Sequence, residues 1–209
     1  IMWVFDIISG DGNAYELYNP TFSQGVNTGD VLYADVMDWD ISGEYVMYDA
    51  NNRIDGVGGS IEFWDIGFIE VWNNSSNNFS LDGKIEKLFP SLDEGITVGN
   101  PVFSKNSPYI IAFDYVEEGL FDATYAVLGA NIETGDIGAI AENTGIGYPC
   151  FSTGDNYLIY NNDDEFSSAT NLNFVELNSN KIQAKGDPDL YGKNLYWGVW
   201  FSNGKRNLS

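Results

Sequence analysis

The sequence has 209 residues, 44% hydrophobic and 15% aromatic, which is enough to bury a substantial core as one domain or one repeat array. Its 31 acidic residues against 9 lysines and arginines give a formal net charge of −22, which excludes nucleic acid and anionic lipid surfaces as expected partners. The sequence contains no histidine, which excludes Ser-His-Asp and Cys-His catalysis and imidazole metal ligands within these residues.

The N-terminal stretch predicts two strands joined by a tight turn. Met2–Ile8 is apolar, a Ser-Gly-Asp-Gly-Asn turn follows, and Ala14–Tyr18 resumes the strand pattern. The stretch lacks the basic segment of a signal peptide, and no apolar run approaches the roughly 20 residues that span a bilayer. Because the chain begins with Ile1 rather than Met, we expect that an upstream segment precedes it.

One pattern recurs along the chain: an aromatic residue, a polar turn with Ser and Gly or Asn, then aromatic and β-branched residues. Its copies start at Trp39, Phe103, Phe151 and Phe201, at intervals of 64, 48 and 50 residues. The last two intervals are close to the repeat of a four-stranded propeller blade, roughly 40–50 residues. A polar insertion over residues 72–83 accounts for the longer first interval.

A second hairpin follows each of these turns. Residues 63–72 resume after the insertion at 83–89, and residues 125–140 and 171–184 each read as strand, turn and strand. Phe22 imitates the start of a repeat but lies only 17 residues before Trp39, too few for a blade. Each unit is therefore predicted to have four antiparallel strands, and no helical periodicity persists.

The predicted fold is all-β, a β-propeller of four-stranded antiparallel blades with about four blades present. Residues 44–48, 109–113 and 157–160 are nearly unbroken apolar runs, typical of strands covered on both faces, whereas a two-sheet sandwich favours alternation. We expect a segment of a larger propeller, although a four-bladed ring closed by the two termini is an alternative. The predicted partial domain covers residues 1–209, with approximate blades at 1–29 (half a blade and a connector), 30–99, 100–148, 149–195 and 196–209 (the start of a blade).

The repeat resembles that of TolB-like (WD40-like, PD40) β-propellers. The resemblance lies in Pro101-Val-Phe-Ser104, Pro149-Cys-Phe-Ser152 and the run from Trp39 to Tyr48, and it covers about residues 30 to 204. Asn106-Ser107 and Gly154-Asp155 replace the Asp-Gly of the family repeat. The resemblance implies an exported bacterial protein, periplasmic or on the cell surface, that binds other proteins. The repeat also resembles those of the propellers that gate serine peptidases.

Several residues are candidates for a site, each with a structural alternative. Asn161–Glu165 could bind calcium, but it lacks the spacing of a calcium loop and is better interpreted as a solvated loop. Asp38 and Asp40 could bind a cation, although hydrogen bonds between blades are the favoured role. Cys150 is expected to be a small buried thiol. The tryptophans are expected to lie mostly in the core, with Trp72 as the one suspected of ligand contact: Trp3, Trp64, Trp72, Trp197 and Trp200.

The preferred hypothesis is a non-catalytic propeller module of an exported bacterial protein that binds another protein or a neighbouring domain. No catalytic residue, cofactor or metal site is predicted. A second hypothesis is a propeller that gates substrate entry to a serine hydrolase domain outside these residues, which a downstream Gly-x-Ser-x-Gly stretch would support. A third is a carbohydrate-binding or glycosidase propeller that uses carboxylates and tryptophans.

Overall fold

The computed structural model describes residues 1–17, 29–80, 85–89, 92–163 and 169–200, and the backbone of the short paired strands β3 (Phe22–Ser23) and β4 (Val26–Asn27). Within these residues all named elements are β-strands, and there is no helix that could cross a membrane. The N-terminal hairpin consists of β1 (Met2–Phe5) and β2 (Gly12–Tyr15), which pair antiparallel as predicted.

The first four-stranded sheet has the strand order β10-β7-β6-β5, and all its neighbours are antiparallel. A two-residue turn joins its second and third strands, and a short hairpin, β8–β9, fills the predicted insertion before the fourth strand. The strands are β5 (Asp30–Trp39), β6 (Tyr45–Gly56), β7 (Gly59–Glu70), β8 (Trp72–Asn73), β9 (Asn78–Phe79) and β10 (Ile85–Lys87).

The second and third sheets repeat this plan in simple chain order, β11-β12-β13-β14 and β15-β16-β17-β18. Trp39, Phe103 and Phe151 each end the first strand of a sheet, directly before the polar turn, as the repeat predicts. The strands are β11 (Ile96–Phe103), β12 (Ile110–Glu118), β13 (Ala123–Asn131), β14 (Asp136–Asn143), β15 (Cys150–Phe151), β16 (Tyr157–Asp163), β17 (Thr170–Glu176) and β18 (Asp189–Lys193).

The third sheet departs from the sequence prediction at its fourth strand. Only an isolated bridge joins Leu177 to Ala184 where the second strand of the 171–184 hairpin was expected. The strand itself, β18, lies further along and pairs with β17 across a register shift between Leu172 and Asn173. The predicted hairpin over residues 171–184 is therefore right for its first strand and wrong for its second, since the chain pairs regularly with β17 only from Asp189 onwards.

The second strand of each sheet is buried on both faces, as its apolar run predicts. Val46–Ala50, Ile110–Asp114 and Leu158–Asn161 are continuously buried. Side chains alternate across a strand, so Ile111 and Phe113 join one core cluster with the first sheet, while Ile110 and Ala112 join another with the third. The middle sheet is thus covered on both sides by its neighbours.

The N-terminal hairpin extends this row by one layer. Met2 and Val4 pack against Val46 and Tyr48 of the first sheet, on the face opposite the second sheet. The hairpin and the three sheets therefore form a row of successive layers that cover each other's apolar faces. Repeated four-stranded antiparallel sheets joined in this way are propeller blades, and the chain is a segment of a β-propeller.

Close approach between the second and third sheets depends on a glycine, and this yields a testable prediction. A Cβ built at Gly129 in β13 would lie 2.6 Å from the Ile182 Cα, a backbone atom that cannot rotate away. Gly129→Ala should therefore lower the free energy of unfolding by about 1–3 kcal/mol in urea titrations, the usual cost of overpacking. Gly186→Ala is the control because a Cβ there has no atom within 4 Å, and equal stability of the two variants would contradict the prediction.

Candidate functional site

The same polar contact joins the second strand of each sheet to a segment further along the chain, which for the first two sheets leads into the next sheet. Asp49 Oδ2 accepts the N–H of Asn100 at 2.7 Å, and Asp114 Oδ2 accepts the N–H of Tyr148 at 3.0 Å. Asn161 Oδ1 accepts the N–H of Trp197 at 2.9 Å. We call these three contacts the clasps. Because they recur at equivalent places, they show that one packing relation repeats along the chain.

Each clasp receives its N–H from a residue in the left-handed backbone region. Asn100, Tyr148 and Trp197 have φ angles of 50°, 48° and 51°, a conformation that costs a residue other than glycine on the order of 1–3 kcal/mol. The left-handed conformation occurs at the equivalent position of all three clasps and is therefore a regular feature of the repeat. The clasp bonds offset this backbone strain, since each N–H is held by a side chain of the preceding sheet.

The clasp acceptors were not singled out as a set in the sequence, although the repeat contains a signal for them. They follow the repeat aromatics Trp39, Phe103 and Phe151 by 10, 11 and 10 residues, always in the second strand. The acceptors in chain order are Asp49, Asp114 and Asn161. Aligning polar residues inside the apolar runs would have revealed them.

Burial dominates the electrostatics of the two acidic clasps. Burial raises the pKa of Asp114 to about 6, even though the N–H groups of Gly147 and Tyr148 and the Asn100 amide all favour its ionised form. Burial also raises the pKa of Asp49 to about 7, with a further increase from neighbouring Asp35. Burial thus disfavours the ionised form of both carboxylates.

Asp38 and Asp40 have different roles although they flank the same tryptophan. Asp38 Oδ2 accepts the N–H of Phe103 in the next sheet at 2.9 Å and lies 3.5 Å from Lys105 Nζ. Asp40 is buried and caps its own turn, accepting the N–H of Tyr45 at 2.9 Å. Both carboxylates are therefore engaged in structural hydrogen bonds, one between sheets and one within a turn.

A further polar contact joins the second and third sheets at their turns. Asp155 accepts the Ser104 hydroxyl at 2.8 Å, the Lys105 N–H at 2.8 Å and the Asn106 amide at 2.7 Å. Asp155 is buried and has a φ of 53°. Asn106 and Asp155 thus bond to each other across neighbouring sheets.

The prediction of a solvated loop at Asn161–Glu165 is wrong for the first residues of that stretch. Asn161 to Asp163 belong to β16, and Asn161 is buried in the third clasp. Asp164 and Glu165 lie outside the described residues. Among the residues that the structure describes, no three acidic or cysteine side chains are grouped closely enough to hold a metal ion. Cys150, expected to be buried, is half-buried in β15.

The tryptophan prediction holds only in part. Trp72 packs edge-to-face on Phe79, with ring centroids 5.1 Å apart, against the core cluster of the first sheet. Trp64 is half-buried, but Trp3 and Trp197 are 62% and 69% exposed, and Trp200 is also exposed. Sequence reasoning missed these exposed rings because nothing local shows which end of the row a strand occupies. Phe201, the last repeat aromatic, lies outside the described residues.

The chain is similar in fold to solved structures, among them two bacterial proteins. No protein-family model matches the chain, and the comparison with curated proteins returns no match. TolB from Acinetobacter baumannii has a TM-score of 0.49 and 13% identity, over 83% of this chain and 45% of that one. A puromycin-hydrolyzing peptidase from Mycobacterium tuberculosis has a TM-score of 0.46 and 11% identity, over 87% of this chain and 36% of that one. This chain thus spans less than half the length of either protein.

Proposed function

We propose that this chain is a non-catalytic propeller module that binds another protein or a neighbouring domain through the ends of its row of sheets. The observation that carries the proposal is the exposed aromatic surface at the N-terminal end. In β1, Met2 and Val4 face the first sheet, whereas Trp3 and Phe5 face outwards, are 62% and 61% exposed, and stack 6.0 Å apart. The outer face of this layer is thus apolar and uncovered among the described residues.

The C-terminal end of the row has a similar surface. The segment after β18 packs on the third sheet, where a Cβ at Gly198 would lie 2.9 Å from Ile159 Cδ1. Exposed aromatic rings lie at this end of the row, Tyr191 in β18 and Tyr196, Trp197 and Trp200 in the segment after it. Two of these rings also contact other rings, Trp197 that of Tyr148 and Trp200 that of Tyr157. Exposed apolar patches of this kind mark interaction sites, because uncovered aromatic rings are costly in water. The occupant that fits best is the apolar face of another β-sheet, since the middle sheet already packs against one on either side.

A non-catalytic role agrees with how the described side chains are used. The buried carboxylates with raised pKa values, Asp49 and Asp114, accept backbone N–H groups of the next sheet. Both carboxylates therefore serve as structural hydrogen-bond acceptors. The sequence contains no histidine that could act as a general base. The resemblance of the repeat to TolB-like propellers supports an exported bacterial protein, periplasmic or on the cell surface, as the setting.

A photo-crosslinking experiment on the full-length polypeptide in its own cells tests the proposal. A benzophenone amino acid at Trp3 should crosslink to one defined protein or domain, whereas the same group at Phe121, a 95% exposed loop residue, should not. Trp3→Ser with Phe5→Ser should remove that contact without unfolding the chain, because Met2 and Val4 carry the inner packing. A monodisperse monomer whose crosslinks at Trp3 do not exceed those at Phe121 would overturn the proposal.

A further inference from the structure

A cleft of about 640 Å³ opens between the first and second sheets, at the turns that join first strands to second strands. One wall belongs to the first sheet and includes Tyr45 and Phe68, and the other belongs to the second sheet and includes Tyr109 and Ile132. The aromatic surface at the ends of the row takes no part in this cleft.

The interior of the cleft is lined by apolar side chains that belong to the core or pack against it. Phe68 packs edge-to-face on buried Phe103, with ring centroids 6.2 Å apart, and both belong to the core cluster shared by these two sheets. Phe89 and Ile132 pack against the same cluster, and Ile137 is 48% exposed at the opening. A ligand with apolar groups would therefore meet a preformed surface.

The rim of the cleft is acidic. Glu44, Glu86 and Glu133 lie on the lining together with buried Asp40. Burial raises the pKa of Tyr45, and so do the nearby carboxylates of Glu70, Glu44, Glu86 and Asp40, which places several negative charges around this one phenol. Lys87, the lysine of the lining, is ion-paired to Asp65 at 2.6 Å. The cleft therefore presents an excess of negative charge to a ligand.

Two tyrosines complete a site for a cation. Tyr45 and Tyr109 line the cleft from opposite sheets and are 43% and 45% exposed. An aromatic face attracts an ammonium or guanidinium group, and more so beside carboxylates that are partly shielded from water. No three carboxylates among the described residues converge tightly enough for a metal ion, which favours an extended organic cation.

We propose that this cleft binds a segment of a partner protein in which arginine or lysine alternates with apolar residues. The cationic side chain lies between Tyr45 and the carboxylates of Glu44 and Glu86, and the apolar side chains contact the walls. The net charge of −22 attracts basic partners to the whole surface, and the cleft adds the shape and the aromatic faces that select one segment. This site is separate from the end surfaces, so its test stands apart from that of the proposed function.

The test uses titration calorimetry of the full chain with the peptide acetyl-Leu-Arg-Leu-Arg-Leu-amide. Glu44→Gln with Glu86→Gln is expected to weaken binding about tenfold, whereas Glu117→Gln with Glu118→Gln changes the net charge equally and should weaken it less than about twofold. Glutamine at position 44 keeps an acceptor for the Asn74 N–H that Glu44 Oε1 binds at 2.7 Å. Both pairs should unfold at the urea concentration of the parent chain.

A second peptide separates charge recognition from apolar binding. Replacing arginine by citrulline keeps the shape and removes the charge, so this peptide should lose most of its affinity. Equal weakening by the two glutamine pairs, or equal affinity for the citrulline peptide, would overturn the proposed site. Tyr109→Leu offers an additional check, because it keeps the apolar wall and should weaken only the arginine peptide.

Discussion

Replacement of Asp65 by alanine is expected to lower the free energy of unfolding by about 3–5 kcal/mol, the usual cost of removing one partner of a buried ion pair. Asp65 in β7 and Lys87 in β10 form such a pair at 2.6 Å, with side chains only 3% and 0% exposed. Asn52 donates its amide to Asp65 at 2.6 Å, and Lys87 donates to Asn52 Oδ1 at 3.3 Å. Alanine would leave the ammonium of Lys87 buried without its carboxylate, and β10 is the short outer strand of the first sheet.

Two control variants make this prediction specific. Glu176→Ala removes the partner of Lys185 in a pair of similar length, 2.7 Å, with side chains 45% and 57% exposed. Because solvent screens that pair, its loss should cost less than about 1 kcal/mol. The double variant Asp65→Leu with Lys87→Met should recover most of the lost stability, since neither charge then remains buried. Urea denaturation of all variants checks the result, and similar losses for Asp65→Ala and Glu176→Ala would contradict it.

The pH dependence of stability should change when Asp114 is replaced by asparagine. Burial raises the pKa of Asp114 to about 6 in the folded chain, above the ordinary value of 3.8, so the folded state binds a proton more tightly than the unfolded state. The stability from this group is therefore full below pH 3.8 and is lost as the pH rises towards 6. A shift of this size corresponds to a loss of about 3 kcal/mol across that window.

Asp114→Asn should remove this dependence because the amide does not titrate. Asparagine occupies the equivalent place in the third clasp, where Asn161 accepts the Trp197 N–H and donates its amide to the Leu195 carbonyl at 2.7 Å. At position 114 both carboxylate oxygens accept N–H groups, so the variant should lose one of these bonds and be less stable than the parent at low pH. Unfolding free energies of the parent and the variant, measured from pH 4 to 7, should converge or cross as the pH rises. Asp136→Asn, at an exposed position that begins β14, serves as the control, and parallel pH curves for the parent and Asp114→Asn would disprove the prediction.

Some features of the site could have been predicted from the residue pattern, and others could not. The apolar runs around Tyr48, Phe113 and Tyr160 predict the doubly covered second strands, and the clasp acceptors lie one residue after each of these aromatics. The left-handed backbone of Tyr148 and Trp197 could not be predicted, because neither residue favours that conformation locally. It exists because a side chain from another sheet holds the N–H.

Strand order, turn positions and the repeat follow from short-range chemistry, because alternation, β-branched residues and turn residues act between neighbours along the chain. These signals are why the hairpins and the all-β class could be predicted without coordinates. The exposure of Trp3, the ion pair of Asp65 with Lys87 and the cleft at Tyr45 and Tyr109 arose only in the tertiary structure. Each of these features depends on which layer packs against which face. Such packing brings together residues far apart in the chain, so no local sequence pattern predicts it.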